Sequence, residues 1–487
     1  MGWFNRKKRQ ARRVFAPNPH ANTNVRSAGF SSNDVGRLLS GWDTASSSID
    51  YYLGTELTQL RARSRKMVRA NPYGKRFIAM IKSNVVGPSG VAVQSQVTRS
   101  NGALDTPAND AIEIAFADWA QHHADYTGKS TWVDLQNMAI SCAAQDGEYI
   151  FRKMFTGPYG YQLKCIDPEL LDISQNRRTK TGEIRLGVEY DGNGRVIFYH
   201  FRELQNGNYN SGQVFAIPAS EIIHGFISEW PDQSRGAPWM HASLERSKHL
   251  EKYDEAAIVK ARSTAATMAV LRSPAGEESY SGGEDGGDGV TLDQYEAGTI
   301  KDIGDREIVN LDSDYPHQMY AAFVKSQLQG IASGLGISYH ALANDLEGVN
   351  YSSIRAGVLE DREVFKGLQN WFIRCLVYPV FDDWIVHAVA RGAIKIGSVP
   401  LSRNIDDYRS AHFQARRWAW VDPQKDGAAN KLAIDERLKS RSQIMREAGD
   451  DPESTWLEIQ REEQLLAKMG IQPIVKEQPM QEVQTDE

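Results

Sequence analysis

Residues 241–272 read as one uninterrupted helical stretch of 32 residues with no proline or glycine. At about 1.5 Å per residue such a helix spans roughly 48 Å, longer than a small domain is wide. Leu250, Tyr253, Ala257 and Ala261 fall on one face. The second half is dense in alanine (Ala256, Ala257, Ala261, Ala265, Ala266, Ala269), which lets a neighbouring backbone approach closely. A helix this long with so few large side chains is expected to pack against copies of itself. Those four face residues are therefore the expected subunit contact.

The flanking sequence alternates in character. Residues 1–45 are expected to form a flexible basic arm, opening with Arg6, Lys7, Lys8, Arg9, Arg12 and Arg13 and continuing into a Ser/Asn/Gly-rich stretch. No apolar core follows those cations, so they do not read as a secretory signal. Residues 56–86 predict a helix broken at Asn71-Pro72, because proline disfavours helix in its predecessor. Its cations, Arg61, Arg63, Arg65, Lys66, Arg69, Lys75, Arg76 and Lys82, read either as a solvated or subunit-facing surface or as a phosphate-contacting face. Residues 107–123 and 131–144 predict two amphipathic helices, the second opened by Thr131 with Asp134 three residues on.

From Gly147 the pattern turns to strands, at 149–151, 161–166, 184–190, 196–201 and 221–226, with Asp191-Gly192-Asn193-Gly194 as a hairpin turn. The first half is thus α+β. Residues 276–289, glycine-rich and acidic, read as a flexible loop, with short strand-like pieces at 299–303 and 307–311. Helix resumes at 316–335. Ser352 is expected to cap a third long helix with Ile354, Val358, Phe365, Leu368, Phe372 and Leu376 along one stripe, kinked at Pro379. A strand at 410–420 precedes Asp422-Pro423, and Asp451-Pro452 repeats that helix-opening signal. The tail from Gln472 is polar and expected to be disordered.

Composition excludes several classes. Residues 371–389 are the most apolar run, but Arg374, Asp382, Asp383 and His387 are costly in hydrocarbon, so no membrane span is expected. A soluble, cytosolic origin is the expectation that follows. Cys142, Cys165 and Cys375 are scattered and odd in number, fitting buried thiols and neither a disulfide framework nor a metal site. The net charge of −6 argues against tight static binding of DNA over the whole surface. Gly128-Lys129-Ser130 approaches a phosphate-binding loop, but His123 stands where the first glycine is required and a helix precedes it. Residues 282–289 lack the ligand order of a calcium loop, and His122, His123 and Asp125 lack a further ligand at recognisable spacing. No catalytic constellation, cofactor or metal site is read.

Local signatures from about residue 50 to 465 carry a resemblance. Arg63-Ser64-Arg65-Lys66-Met67-Val68-Arg69-Ala70-Asn71-Pro72 followed by Ser83-Asn84-Val85-Val86-Gly87 resembles the opening of lambda-type bacteriophage portal proteins. Gly147-Glu148-Tyr149, Ile166-Asp167-Pro168-Glu169, Gly236-Ala237-Pro238-Trp239 and Asn350-Tyr351-Ser352-Ser353-x-Arg355 are similar to later landmarks of that family, in the same order.

The resemblance implies an α+β portal-type fold, with long stem helices, an α/β wing, a small clip and a helical C-terminal crown. Its divisions would be wing from 46 to 240, stem helix 241–272, clip 273–315 and second stem helix 316–336. A tunnel-loop region at 337–351, a long kinked helix returning to the wing at 352–421, a crown at 422–470 and a tail at 471–487 would follow. The family further implies a ring homo-oligomer, usually a dodecamer, at the portal vertex of the virion capsid and assembled in the host cytoplasm. Double-stranded DNA would pass through without regard to sequence during packaging and ejection. Implied partners are the terminase large subunit, major capsid or scaffold proteins, and head-completion or adaptor proteins. Asn344, Asp345, Leu346, Glu347, Gly348, Val349 and Asn350 would line the channel; they join two long helices, and their polar groups require water. A non-portal virion scaffold or adaptor, and an enzyme acting on nucleic acid, are the alternatives. The second would need a carboxylate cluster or phosphate loop that the chain does not show convincingly.

Overall fold

The break foreseen at Asn71-Pro72 is the first fixed point of the computed structural model. It describes residues 47–204, 209, 212–266, 270–272, 307–309, 319–347, 351–401, 405–418, 423–448 and 452–470. Helix α1 (Ile49–Ala70) ends there and α2 (Pro72–Ile81) begins, with the Asn71 side chain accepting from the backbone N–H of Tyr73 and Gly74. The first helix starts seven residues before the expected Glu56. A π-turn (Lys82–Val86) leads to strand β1 (Ala92–Ser95). Helix α3 (Thr106–Asp118) and α4 (Trp132–Asp146) follow, the latter with the complete Thr131–Asp134 capping box.

Two antiparallel sheets come next. β2 (Glu148–Met154) lies between β3 (Gln162–Ile166) and β9 (Ile222–Phe226). β4 (Arg177–Arg178), β5 (Gly182–Arg185), β6 (Val188–Asp191), β7 (Val196–Arg202) and β8 (Val214–Pro218) form the second sheet in chain order. The run 184–190, expected as one strand, is the hairpin β5–β6. It turns at Leu186 (φ 49°) and Gly187 (φ 87°). Leucine is a poor residue for positive φ, so the turn carries no sequence signal. The buried Leu186 packs with Leu53 and Leu57 of α1, which offsets that strain.

Helix α5 (Leu244–Ala266), entered through a 3-10 turn at His241–Ser243, is shorter than the expected 32 residues. Val270–Arg272 is strand β10, antiparallel to β11 (Glu307–Val309). Helix α6 (Tyr320–Leu335) begins four residues after the expected Pro316 and ends on Gly336 in the left-handed region. Then come α7 (Tyr339–Ala343), α8 (Tyr351–Phe372), a π-turn at Ile373–Val377 and α9 (Tyr378–Ala390). The π-turn ends two residues before Pro379, the position of the expected kink, whose missing N–H cannot continue the helical ladder. α8 starts one residue before Ser352.

A short hairpin, β12 (Lys395–Ile396) and β13 (Val399–Pro400), precedes β14 (Ala411–Gln414), only four residues of the expected strand. β14 pairs with β1 and so joins two segments more than 300 residues apart. α10 (Pro423–Asp435), α11 (Arg441–Ala448) and α12 (Pro452–Lys468) complete the described chain. The expected arm at 1–45, the acidic loop at 276–289, the strand at 299–303 and the tail from 472 lie outside the described residues.

The main core gathers Trp119, Trp132, Phe372, Phe381, Trp384 and Tyr161, from α3 through α9. A separate small core (Ile150, Leu171, Val188, Tyr199, Phe201, Ile217) joins the two sheets. The fold is mixed helix and strand, as expected, and among the described residues no helix is long and apolar enough to cross a membrane.

Candidate channel and subunit-contact surfaces

Helices α5 and α6 form a hairpin whose sequence-distant ends carry the β10–β11 pair. Small residues allow the close approach. Ser243 donates from Oγ to the carbonyl of Ile331 (2.9 Å), and Gly334 faces that serine. Tyr253 stacks on Tyr320 (centroids 5.8 Å apart, planes at 17°) and tilts against Phe323, while the Tyr320 hydroxyl donates to Asp254 at 2.9 Å.

Within one chain this packing already engages part of the expected subunit-contact face. Leu250 joins the main core and Ala257 is buried within a single chain. Ala261 is half-buried, and Tyr253, though exposed at its edge, is committed to the stack with α6. Among the described residues, the large aliphatic side chains that α5 leaves open to a second chain are Ile258 (51% exposed) and Val259 (55%). Periodicity identified a face that α6 covers in part, at Tyr253 and Leu250.

Beyond α6, Ser338 ties the next turn to α8, its backbone N–H and hydroxyl donating to Asp361 at 2.9 and 2.6 Å. α7 then ends on Asn344 in the left-handed region (φ 54°). Asp345 folds back. It accepts from the Tyr339 hydroxyl (2.7 Å) and the Glu347 N–H (3.0 Å), and Lys325 of α6 stands 3.5 Å away. The Tyr339 hydrogen bond leads in holding its carboxyl below the usual range, with the Glu347 N–H and Lys325 adding to it. Asn344, Leu346 and Glu347 are exposed. Of the expected channel residues, then, Asp345 is paired with Lys325, and Glu347 has no ion pair among the described residues. Gly348, Val349 and Asn350 lie outside the described residues. Lys325, which sequence reading missed, carries no local signal of its role.

The basic helix also departs from both of its readings at Arg61 and Arg65, which pair with acids of the same chain. Arg61 is fully buried and donates to Glu148 (2.7 Å), the carbonyl of Asp146 (2.9 Å) and that of Pro168 (3.2 Å). Arg235, also fully buried, donates to Glu148 at 2.6 and 2.9 Å and to the carbonyls of Leu171 and Leu186. Glu148 further accepts from the Gly236 N–H (2.9 Å) and meets His224 Nε2 at 3.0 Å. Burial opposes its ionisation, but the guanidinium of Arg235, then Arg61, outweighs it and holds the carboxyl well below its usual range. Glu169, 3.6 Å from Arg61, supplies the second negative charge. Arg65 pairs with Asp146 and Asp167. The backbones of Gly147 and Gly236 touch so closely that a Cβ on either would meet the other's carbonyl. The cluster thus binds α1, β2, β9 and the segment entering α5 into one unit. Its members fall in the landmarks around Gly147-Glu148-Tyr149 and Gly236, where sequence reading assigned no role.

Asp125 accepts from the N–H groups of Thr127, Lys129 and Ser130 (3.0–3.2 Å), filling with its own carboxylate the cradle a phosphate would need. His122 and His123 turn to Asp118, and no metal-holding group occurs among the described residues. The three cysteines are free and half-buried, less enclosed than the expected buried thiols.

A family profile described as phage portal protein, lambda family, matches residues 35–369, more than two thirds of the chain. The chain belongs to that family. It is 30% identical over 449 residues to a probable portal protein of Halomonas phage phiHAP-1, covering 89% of this chain and 86% of the relative. It is 23% identical to the portal protein of Escherichia phage N15 (90% of each chain) and 22% identical to portal protein B of Escherichia phage lambda (90% of this chain, 89% of that one). Among solved structures, a chain from the neck of an empty GTA particle aligns with a TM-score of 0.43 at 12% identity, over 82% of this chain and 94% of that one.

Proposed function

We propose that copies of this chain assemble into a ring, of twelve subunits, at one vertex of a phage capsid and that the ring conducts double-stranded DNA. Membership of the lambda portal family over residues 35–369 carries the reading. In it, α5 and α6 are stem helices, residues 273–315 the clip, residues 337–351 the tunnel-loop region and α10–α12 the crown. The wing comprises residues 46–240 and the return through 421. DNA enters during packaging, driven by the terminase, and leaves at ejection. Capsid or scaffold proteins and head-completion proteins dock on the outside, with assembly in the host cytoplasm. No catalytic step is assigned to the chain. Backbone contact alone suits a passage that must accept any sequence.

Negative-stain imaging of the purified protein tests this directly. Rings with a hole wide enough for a duplex, counted as dodecamers by native mass spectrometry, are expected; a uniformly monomeric preparation overturns the proposal. A narrower prediction concerns the stem. Ile258→Asp with Val259→Asp places two charges on the open face of α5, where a neighbouring chain must exclude water. Both positions are exposed in the single chain, so folded monomer should persist, with unchanged circular dichroism, while rings disappear. Normal rings from the double variant would remove α5 from the subunit interface.

A further inference from the structure

Residues 57–104 contain nine cations and not one carboxylate. The structure divides those cations sharply. Arg61, Arg65 and Arg99 are paired with acids, and Lys82 faces Asp134. Arg63, Lys66, Arg69, Lys75 and Arg76 are exposed, with no ion pair among the described residues. Arg63 and Lys66 line a cleft of about 710 Å³ between α1 and α5 that also holds Glu245 and Glu251. Arg69, Lys75 and Arg76 stand outside that cleft, at the α1–α2 junction and the first turn of α2. α2 packs on α7, and Arg76 Nε donates to the carbonyl of Ala341 at 3.4 Å. α7 leads directly into Asn344–Glu347.

We infer that Arg69, Lys75 and Arg76 form a phosphate-contacting surface for double-stranded DNA, beside the loop assigned above to the channel. The inference rests on that assignment for its ligand. The surface itself favours a phosphate backbone over an acidic protein. A protein interface requires an apolar centre within its polar rim, yet among the described residues no large hydrophobic side chain is exposed between Tyr51 and Ile114, and the adjoining loop 344–347 adds a single one, Leu346. Phosphate contact requires only cations within reach and carries no sequence information. Neighbouring Glu347 repels the same backbone. Attraction and repulsion set side by side would hold a duplex without gripping it.

The test compares the full chain with the variant R69Q/K75Q/R76Q, using a fluorescent 30-base-pair duplex of arbitrary sequence. Binding is titrated by anisotropy between about 50 and 200 mM salt, where counterion release is read from the slope of log K against log salt. Each cation that touches a phosphate steepens that slope by about 0.9, so the variant should be flatter by about 0.9 to 2.7. R69K/R76K, which keeps the charge, should restore the slope. An unchanged slope in the glutamine variant overturns the inference. So does unaltered DNA binding combined with lost binding to the phage major capsid protein, which would make the patch a protein-docking surface. Native mass spectrometry of the same samples keeps the two readings apart. Absence of rings from the unmodified chain counts against the ring proposal, and the anisotropy slopes decide the patch on whatever species is present.

Discussion

Glu148→Ala is expected to destabilise the folded chain by about 3–5 kcal/mol, the cost of stranding buried charge after one partner is removed. The fully buried guanidiniums of Arg61 and Arg235 both converge on that carboxylate. Without it Arg235 retains only backbone carbonyls, Arg61 keeps its carbonyls and the longer contact to Glu169, and the Gly236 N–H loses its acceptor. Glu148→Gln should fall between, because its amide oxygen can still accept from an arginine while its NH2 faces the Gly236 N–H. Arg65→Ala, which opens a pair already partly solvated, should cost less than either. The measurement is the urea midpoint by circular dichroism at pH 7. The sign of the pH dependence follows from the depressed carboxyl. Its contribution is complete above the ordinary value of 4.5 and is lost only as pH falls through the lower folded value. The deficit of the alanine variant should therefore narrow in strong acid. A midpoint equal to that of the unmodified chain would mean that the cluster does not hold α1 to the sheets.

That cluster also marks where sequence reading stops. Helix openings were legible because their signals are local: Asn71-Pro72, Thr131 with Asp134, and proline at 423 and 452 each act within one turn. Arg61 looks no different from Arg63 in sequence. One is buried against a carboxylate 87 residues away and the other is exposed, a difference set by which face of α1 meets the sheets. The Leu186-Gly187 turn was invisible because burial against α1 overrides the leucine's backbone preference. Leu250 and Ala257 were correctly spaced for a covered face, but spacing does not say whether the cover is the same chain or another. The loop after α7 was legible as a polar connector. The pairing of Asp345 was not, since Lys325 lies twenty residues back on a helix that the loop meets only after folding.

That pairing sharpens what the loop should do. If residues 344–350 face the bore, the charge each subunit repeats there is that of Glu347, while Asp345 serves to pin the loop's root to Tyr339 and Lys325. Beside Glu347, the large apolar side chain of Leu346 is 61% exposed. Deleting Leu346 to Val349 while sparing Asp345 should therefore leave α6, α7 and the ring intact and remove only the part that reaches the duplex. Heads assembled with this protein should be mostly empty, because nothing then checks backward slippage or loss of the genome. Glu347→Ala should be milder, and its effect should fade with added salt, since a charge of this kind is screened over about 8 Å at physiological ionic strength. Glu347→Lys should instead slow DNA passage by adding attraction next to the Arg69, Lys75 and Arg76 surface. Counting full and empty heads by electron microscopy decides the matter. Normal filling and retention with the four residues deleted would show that the loop is an ordinary connector and that the duplex is held elsewhere.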